Sequence, residues 1–345
     1  MASTDAAARP VALVTGASRG LGFLIARELA DRGHDLVVCA RDVEGLRPAR
    51  ADLEARGARV VTVGADVGRP EAAQELVGTA EREFGRLDVL VANAGIIQVG
   101  PQPDLRDEDY VQAMDVMFWG LVRPALAALP LLARTGGRIL AVTSIGGKLP
   151  APHLLPYTAA KHAAVGFAEG LRLEAGRQGV SVTVAVPGLM RTGSSRNALV
   201  TGKARAERSW FTVGASLPLV SSDAEHAARR LVRATLRGTP EIILTPLAHV
   251  GSRVHALAPS TTLRLITAVE RLLPGPAGTG EPPRPAYTAP LPRWLRRLTG
   301  LDEAAAERWH EHTDPAPDPG GHPDGGSDGG SDGGVGAGRA GTPRR

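Results

Sequence analysis

Short apolar runs alternate along this chain with longer segments in which apolar residues recur at helical spacing. The first run, Val11–Thr15, closes on Gly16, and Leu21, Leu24, Ile25 and Leu29 then mark one face of a helix. The order repeats with a run at Leu36–Ala40, a helical segment at Asp42–Arg56 and a run at Arg59–Val63. Pro70–Phe84 reads as a helix that begins on proline, whose fixed φ suits a first turn, and Asp88–Ala92 is the next run. A long helical region follows from Asp107 to Ala133, with a bend expected near Pro124 or a break at Pro130. Arg138–Thr143, the helical Pro156–Arg177, Val180–Val186, the helical Asp223–Arg237 and a short strand at Glu241–Leu244 complete the series. Continuous apolar runs suit strands buried on both faces. Their interleaving with helices predicts an α/β fold, a doubly wound parallel sheet, over residues 9–245.

The flanks read differently. Residues 1–8 are expected to be a flexible N-terminus. Residues 246–311 form a helical C-terminal extension, with candidates at Ala248–Ala258, Thr261–Leu273, Arg293–Leu298 and Asp302–Glu311 and a Gly/Pro-rich linker at Pro274–Pro285. Leu263, Ile266, Val269 and Leu273 keep helical spacing, and the run Arg293-Trp294-Leu295-Arg296-Arg297-Leu298 mixes basic with apolar residues. The extension is expected to lie on its own domain or a partner subunit, the alternative being peripheral contact with an anionic membrane. Residues 312–345, rich in Gly, Asp and Pro, lack the apolar groups to fold and are expected to be disordered.

Charge and composition narrow the function. The net charge of +4 and pI near 9.7 reflect a small arginine surplus with no dense basic run, which argues against a nucleic-acid partner. The single cysteine, Cys39, excludes an intramolecular disulfide, fits a reducing compartment and falls in an apolar run as an inert thiol. No positively charged segment leads into an apolar core at the N-terminus, and no stretch of about eighteen uninterrupted apolar residues occurs. Cytoplasmic residence is expected, and no metal ligands are assigned.

The candidate chemistry lies between Ser144 and Lys161. Tyr157 and Lys161 stand four apart in a helical segment and so share a face, while Ser144 follows the carboxyl end of a predicted strand, where open parallel sheets bind ligands. A phenol, an ammonium that stabilises its phenolate and a hydroxyl that holds a substrate oxygen make a proton-transfer set. Of 40 Lys and Arg residues only Lys148, Lys161 and Lys203 are lysines, so a lysine beside the tyrosine stands out. At the other end of the fold, Gly16, Gly20 and Gly22 form a G-x-x-x-G-x-G turn between strand and helix, with Ser18, Arg19 and Leu21 between them. Such a turn lets backbone approach a pyrophosphate at a helix N-terminus. The second strand ends in Cys39-Ala40-Arg41, with no acid before Asp42. Arg41 and Arg19 therefore offer a grip on a 2′-phosphate and predict NADP(H) over NAD(H). Asp66 and Val67, after the third strand, are placed near the adenine amino group.

Together these pieces resemble the classical short-chain dehydrogenases/reductases. The resemblance rests on TGASRGLG at 15–22, Asp66, NAG at 93–95, Ser144, YTAAK at 157–161 and PGLMRT at 187–192, and covers roughly residues 9–245. It implies a Rossmann-type sheet of seven strands in the order 3-2-1-4-5-6-7. It also implies that Tyr157 is the general acid and base, that Lys161 lowers the phenol's pKa and binds the nicotinamide ribose, and that Ser144 holds the substrate oxygen. Asn93, Ala94 and Gly95 would line the cofactor cleft, and Pro187, Gly188 and Thr192 would contact the nicotinamide end. The implied activity interconverts a secondary alcohol and a carbonyl compound, in a homodimer or homotetramer. One departure stands out. The family's fourth helix carries an asparagine that holds a relay water, and this chain has Met117 in that register. A thioether is a weak acceptor and no donor, which leaves open a cofactor-binding regulatory or scaffold protein with weak turnover.

The segment 189–216 reads as a substrate lid, in which Trp210 and Phe211 either cover a partly apolar substrate or pack the lid on its own domain. Leu149, His153, Leu154 and Leu155 border the same side, with His153 expected at the surface.

Overall fold

The structure is a computed structural model that describes residues 9–216, 221–278, 280–292, 295 and 305–311. Seven strands form the central sheet: β1 (Val11–Thr15), β2 (Asp35–Ala40), β3 (Val60–Gly64), β4 (Val89–Ala92), β5 (Arg138–Val142), β6 (Ser181–Val186) and β7 (Glu241–Ile243). Their spatial order is β3-β2-β1-β4-β5-β6-β7, and each neighbouring pair is parallel. This is the expected order. Successive side chains of a strand point to opposite faces. Accordingly Val11 and Leu13 of β1 enter one apolar cluster while Ala12 and Val14 enter the other. Helices α1 (Gly20–Asp31), α2 (Arg47–Ala55) and α8 (Ala224–Leu236) cover the second cluster. The first is covered by α3 (Ala72–Phe84), α5 (Gly120–Ala133) and α6 (Leu155–Ala175). Cys39 is wholly buried on β2, and burial pushes its thiol up to about 12.

Of the two proline-based expectations for Asp107–Ala133, the break at Pro130 does not occur. Helix α4 (Asp107–Met114) passes through a π turn at Asp115–Trp119 into α5, and the chain neither breaks nor ends at Pro124 or Pro130. Each proline removes only one intrahelical bond, and Leu121, Ala125, Ala128, Leu131 and Leu132 hold α5 in the core. By length and composition this helix is apolar enough to cross a bilayer, yet half of its most apolar window is buried inside the fold. Another helix, α7 (Ala204–Ser216), lies in the segment read as a substrate lid.

Beyond the sheet, α9 (Pro246–Leu257) and α10 (Pro259–Glu270) match two of the expected helices. They do not lie on the domain by an apolar face. Ala248 is the only buried residue of the pair, and Leu257, Leu265 and Leu272 are exposed. The following linker is fixed. The carboxylate of Asp104, 1% exposed, accepts the backbone N–H groups of Ala277 and Gly278 at 2.8 and 2.6 Å. Arg284–Pro285 then pairs with Leu199–Val200, which pairs in turn with Gln98–Val99. The expected helix at Arg293–Leu298, apart from Leu295, and the tail 312–345 lie outside the described residues.

Candidate active site

The carboxyl ends of β1, β4, β5 and β6 carry the glycine turn, Asn93–Gly95, Ser144 and Pro187–Gly188, so the predicted residues share one edge of the sheet. In the turn, Gly16 and Gly20 adopt φ of 65° and 56°, the left-handed region that disfavours side chains. Gly22 is required for another reason, because a Cβ there would lie 2.1 Å from the Gly16 carbonyl oxygen. Asn93 braces this geometry. Its Nδ2 donates to the carbonyls of Thr15 and Gly16, both at 3.1 Å. Thr15 Oγ1 accepts the N–H groups of Asn93 and Ala94 at 3.0 and 3.1 Å. Asn93 thus supports the cradle from behind, and Thr15, at the head of the quoted motif, is a bracing residue the sequence reading passed over. Leu21 and Val67 turn their side chains into the core. Asp66 accepts the N–H of Gly68 at 3.0 Å, and Arg41 is exposed at the end of β2. Helix α1 starts without a side-chain cap and without an acid in its first turn, which leaves its positive end suited to an anion.

On the other wall, Ser144 adopts extended backbone at the end of β5, and its Oγ accepts the N–H of Gly146 at 3.1 Å. Tyr157 rises from the first turn of α6 and its phenol stands beside the Ser144 hydroxyl. Burial raises the phenol's pKa, and the Ser144 hydroxyl offsets part of that rise. Lys161, one turn on and 5% exposed, donates from Nζ to the Val142 carbonyl at 3.0 Å and lies 5.7 Å from the Tyr157 ring centre. Burial depresses its pKa to about 8. Two glycines let α6 approach this closely. A Cβ on Gly146 would stand 3.0 Å from Tyr157 Cε1, and one on Gly147 would stand 2.6 Å from the Lys161 carbonyl. Met117, in the π turn, is buried beside the pair. A Cβ on Gly95 would be equidistant, at 3.8 Å, from Met117 Cγ and Lys161 Nζ.

Pro187 accepts the Ile145 N–H at 2.8 Å, and Gly188 is so close to Thr245 that no side chain fits. Thr192 is buried and hydrogen-bonds Ser194 at 2.8 Å. Beside the lid, His153 is a correction. It is buried, with φ of 57°, and its Nδ1 lies 2.8 Å from Glu207 Oε2, which also accepts the Trp210 Nε1–H at 2.7 Å. Phe211 is buried with Leu154, Val99 and Val200, in an apolar cluster that Tyr157 and Trp210 border. The lid therefore packs on its own domain. Glu207, fully buried, was not marked by any sequence signal beyond that of an ordinary helical acid.

A parallel sheet with a glycine turn and a Ser-Tyr-Lys set at one edge is the architecture of a dinucleotide-linked oxidoreductase. The family model described as short chain dehydrogenase matches residues 10–201, and the chain belongs to that family. It is 37% identical over 194 residues to the candidate ketoacyl reductase 1 of the granaticin polyketide synthase of Streptomyces violaceoruber, covering 55% of this chain and 71% of that protein. It is also 37% identical over 193 residues to an 11-beta-hydroxysteroid dehydrogenase of Pinus massoniana, covering 55% of this chain and 54% of the pine protein. Among solved structures, L-sorbose reductase of Gluconobacter frateurii, complexed with NADPH and L-sorbose, superposes with a TM-score of 0.61 at 25% identity, covering 69% of this chain and 95% of that one.

Proposed function

We propose that this protein is an NADP(H)-dependent oxidoreductase that interconverts a secondary alcohol and a carbonyl compound. The observation that carries the reading is the Tyr157 phenol set beside the Ser144 hydroxyl with the Lys161 ammonium buried one turn behind it. Bound at the glycine turn, the nicotinamide cofactor supplies or accepts the hydride. The protein's part is proton transfer. Ser144 and Tyr157 hold the substrate oxygen between two hydroxyls. In reduction the phenol gives its proton to the developing alkoxide, and the charge of Lys161 stabilises the phenolate that remains. In oxidation the proton returns by the same route. Because burial holds the phenol protonated, the cofactor-free site is prepared as an acid, which suits carbonyl reduction. The apolar cluster bordering Tyr157 favours a partly apolar substrate. Ketoacyl and steroid names among the relatives support the same class. Assay of the purified protein against a panel of ketones and secondary alcohols, with both reduced and both oxidised cofactors, tests the reading. Absence of turnover with every pair would sink it.

The 2′-phosphate is assigned to Arg41 and Arg19, in keeping with the NADPH complex of the sorbose reductase. An exposed arginine held to a phosphate by charge-assisted hydrogen bonds contributes about 1.5–3 kcal/mol. Arg41→Ala is therefore expected to lower the NADPH-to-NADH affinity ratio by about tenfold or more, read from nicotinamide fluorescence titrations. An unchanged ratio would remove Arg41 from the site.

The depressed pKa of Lys161 sets a pH dependence. Below about 8 the amine is charged and able to donate to a ribose hydroxyl, and above it the charge is lost. kcat/KM for NADPH, which reports groups on the free enzyme, is expected to be flat on the acid side of about 8 and to fall on the alkaline side. A profile level through pH 10 would show that Lys161 keeps its proton.

A further inference from the structure

The described C-terminal segment, residues 305–311, ends inside the cleft just assigned to the cofactor. The Trp309 carbonyl accepts the Gly20 N–H at 3.0 Å, and this is a backbone donor of the phosphate-binding turn. The carboxylate of Glu311, 4% exposed, lies at the positive end of α1: a Cβ on Gly20 would meet its Oε1 at 2.6 Å. Its Oε2 stands 3.3 Å from Arg19 Nε and accepts Asn197 Nδ2 at 2.5 Å. Across the cleft, Thr192 Cβ is only 3.9 Å from the same Gly20 position. The carboxylate therefore fills the narrow space between the two walls. An anion placed on a helix N-terminus and an arginine takes up the interactions a diphosphate would make.

The segment is anchored as well as seated. Trp309 is buried in the α1–α8 cluster, with the Arg27 guanidinium 5.0 Å from its ring centre, and His310 meets Phe23 edge-on at 4.9 Å. Ala306 closes over Gly193, where φ is 82° and a Cβ would come within 2.4 Å of Ala306 Cα. Gly20, Phe23 and Arg27 lie far upstream of this short helical segment and Gly193 lies well upstream too, so it is held on the turn by long-range contacts.

We propose that residues 305–311 are a tethered competitor for the pyrophosphate seat, with Glu311 as the phosphate mimic, so that the cofactor-free protein is self-closed and cofactor enters only when Glu311 leaves. The inference rests on the reading that a nicotinamide dinucleotide binds at this turn. Affinity for the dinucleotide is then the intrinsic affinity scaled by the fraction of molecules that are open.

Two measurements on the full-length protein test it. NADPH and NADH are titrated into the wild type and Glu311→Ala, followed by nicotinamide fluorescence. Amide hydrogen exchange across 305–311 and 15–22 is compared in the wild type with and without saturating NADPH. Expected are binding about tenfold tighter in Glu311→Ala and faster exchange at 305–311 in the complex, while 15–22 stays protected. Equal affinity in the two proteins, or slower exchange at 305–311 in the complex, would overturn the competitor and leave the cofactor reading intact, because the segment would then be a cover over bound dinucleotide. Failure of both proteins to bind either cofactor at millimolar concentration would overturn the reading itself, and the competitor with it. The exchange experiment needs no variant, so misfolding of Glu311→Ala does not shield the proposal.

Discussion

Tyr157→Phe is expected to lower kcat by about 10²–10⁴-fold while leaving NADPH affinity within about twofold. Phenylalanine keeps the ring that stands over Gly146 and borders the lid cluster, so packing is retained and only the hydroxyl is lost. That hydroxyl stands beside Ser144 and is the proton donor in the proposed reduction. Lys161 does not replace it, since its Nζ is engaged with the Val142 carbonyl and its charge serves to stabilise a phenolate. Steady-state rates of carbonyl reduction and a fluorescence titration with NADPH, on the same preparations, separate the two effects. Turnover by the phenylalanine variant within about fivefold of wild type would show that another group carries the proton.

Gly22→Ala is expected to cost about 1–3 kcal/mol of stability and to remove most cofactor binding. A methyl group there would stand 2.1 Å from the Gly16 oxygen and 2.4 Å from Asn93 Nδ2. Neither neighbour has room to move: Gly16 is fixed in the left-handed region, and Asn93 is committed to the carbonyls of Thr15 and Gly16. The turn must therefore open, and with it the row of backbone donors at the start of α1. Gly33 provides the contrast. It too has positive φ, at 81°, but nothing lies within 4 Å of its Cβ position, so Gly33→Ala incurs backbone strain alone. Thermal melts and NADPH titrations of the two variants should differ accordingly. If Gly22→Ala melts with the wild type and binds normally, the turn is more pliant than its geometry states.

The sheet was legible because most strands are short apolar runs, and Val11–Thr15, Leu36–Cys39 and Val182–Val186 are buried as such runs require. The Ser144, Tyr157 and Lys161 set was legible because helical spacing and a strand end place the groups by local rules. What escaped was non-local or weakly patterned. The buried residues of α7 include Glu207, Thr212 and Ser216, so the helix shows no clear apolar period. Proline drew attention to 124 and 130, whereas the irregular turn formed upstream at 115–119. His153 and Glu207, 54 residues apart, meet only once the lid has folded, and no local pattern announces such a pair. Glu311 stands for the same gap in its widest form. Nothing near it in the chain suggests an anion site, and its partners Arg19 and Asn197 lie far upstream.

The strip formed by Gln98–Val99, Leu199–Val200 and Arg284–Pro285, latched by Asp104 to Ala277 and Gly278, means that the apolar cluster against which Tyr157 packs is built partly by chain beyond residue 201. The family-model match ends there. Two proteins alike across residues 10–201 would thus inherit the same way of moving a hydride and a proton. They can still differ in what they accept, because the apolar cluster beside Tyr157 also draws on Ala204, Phe211, Ala286 and Ala289.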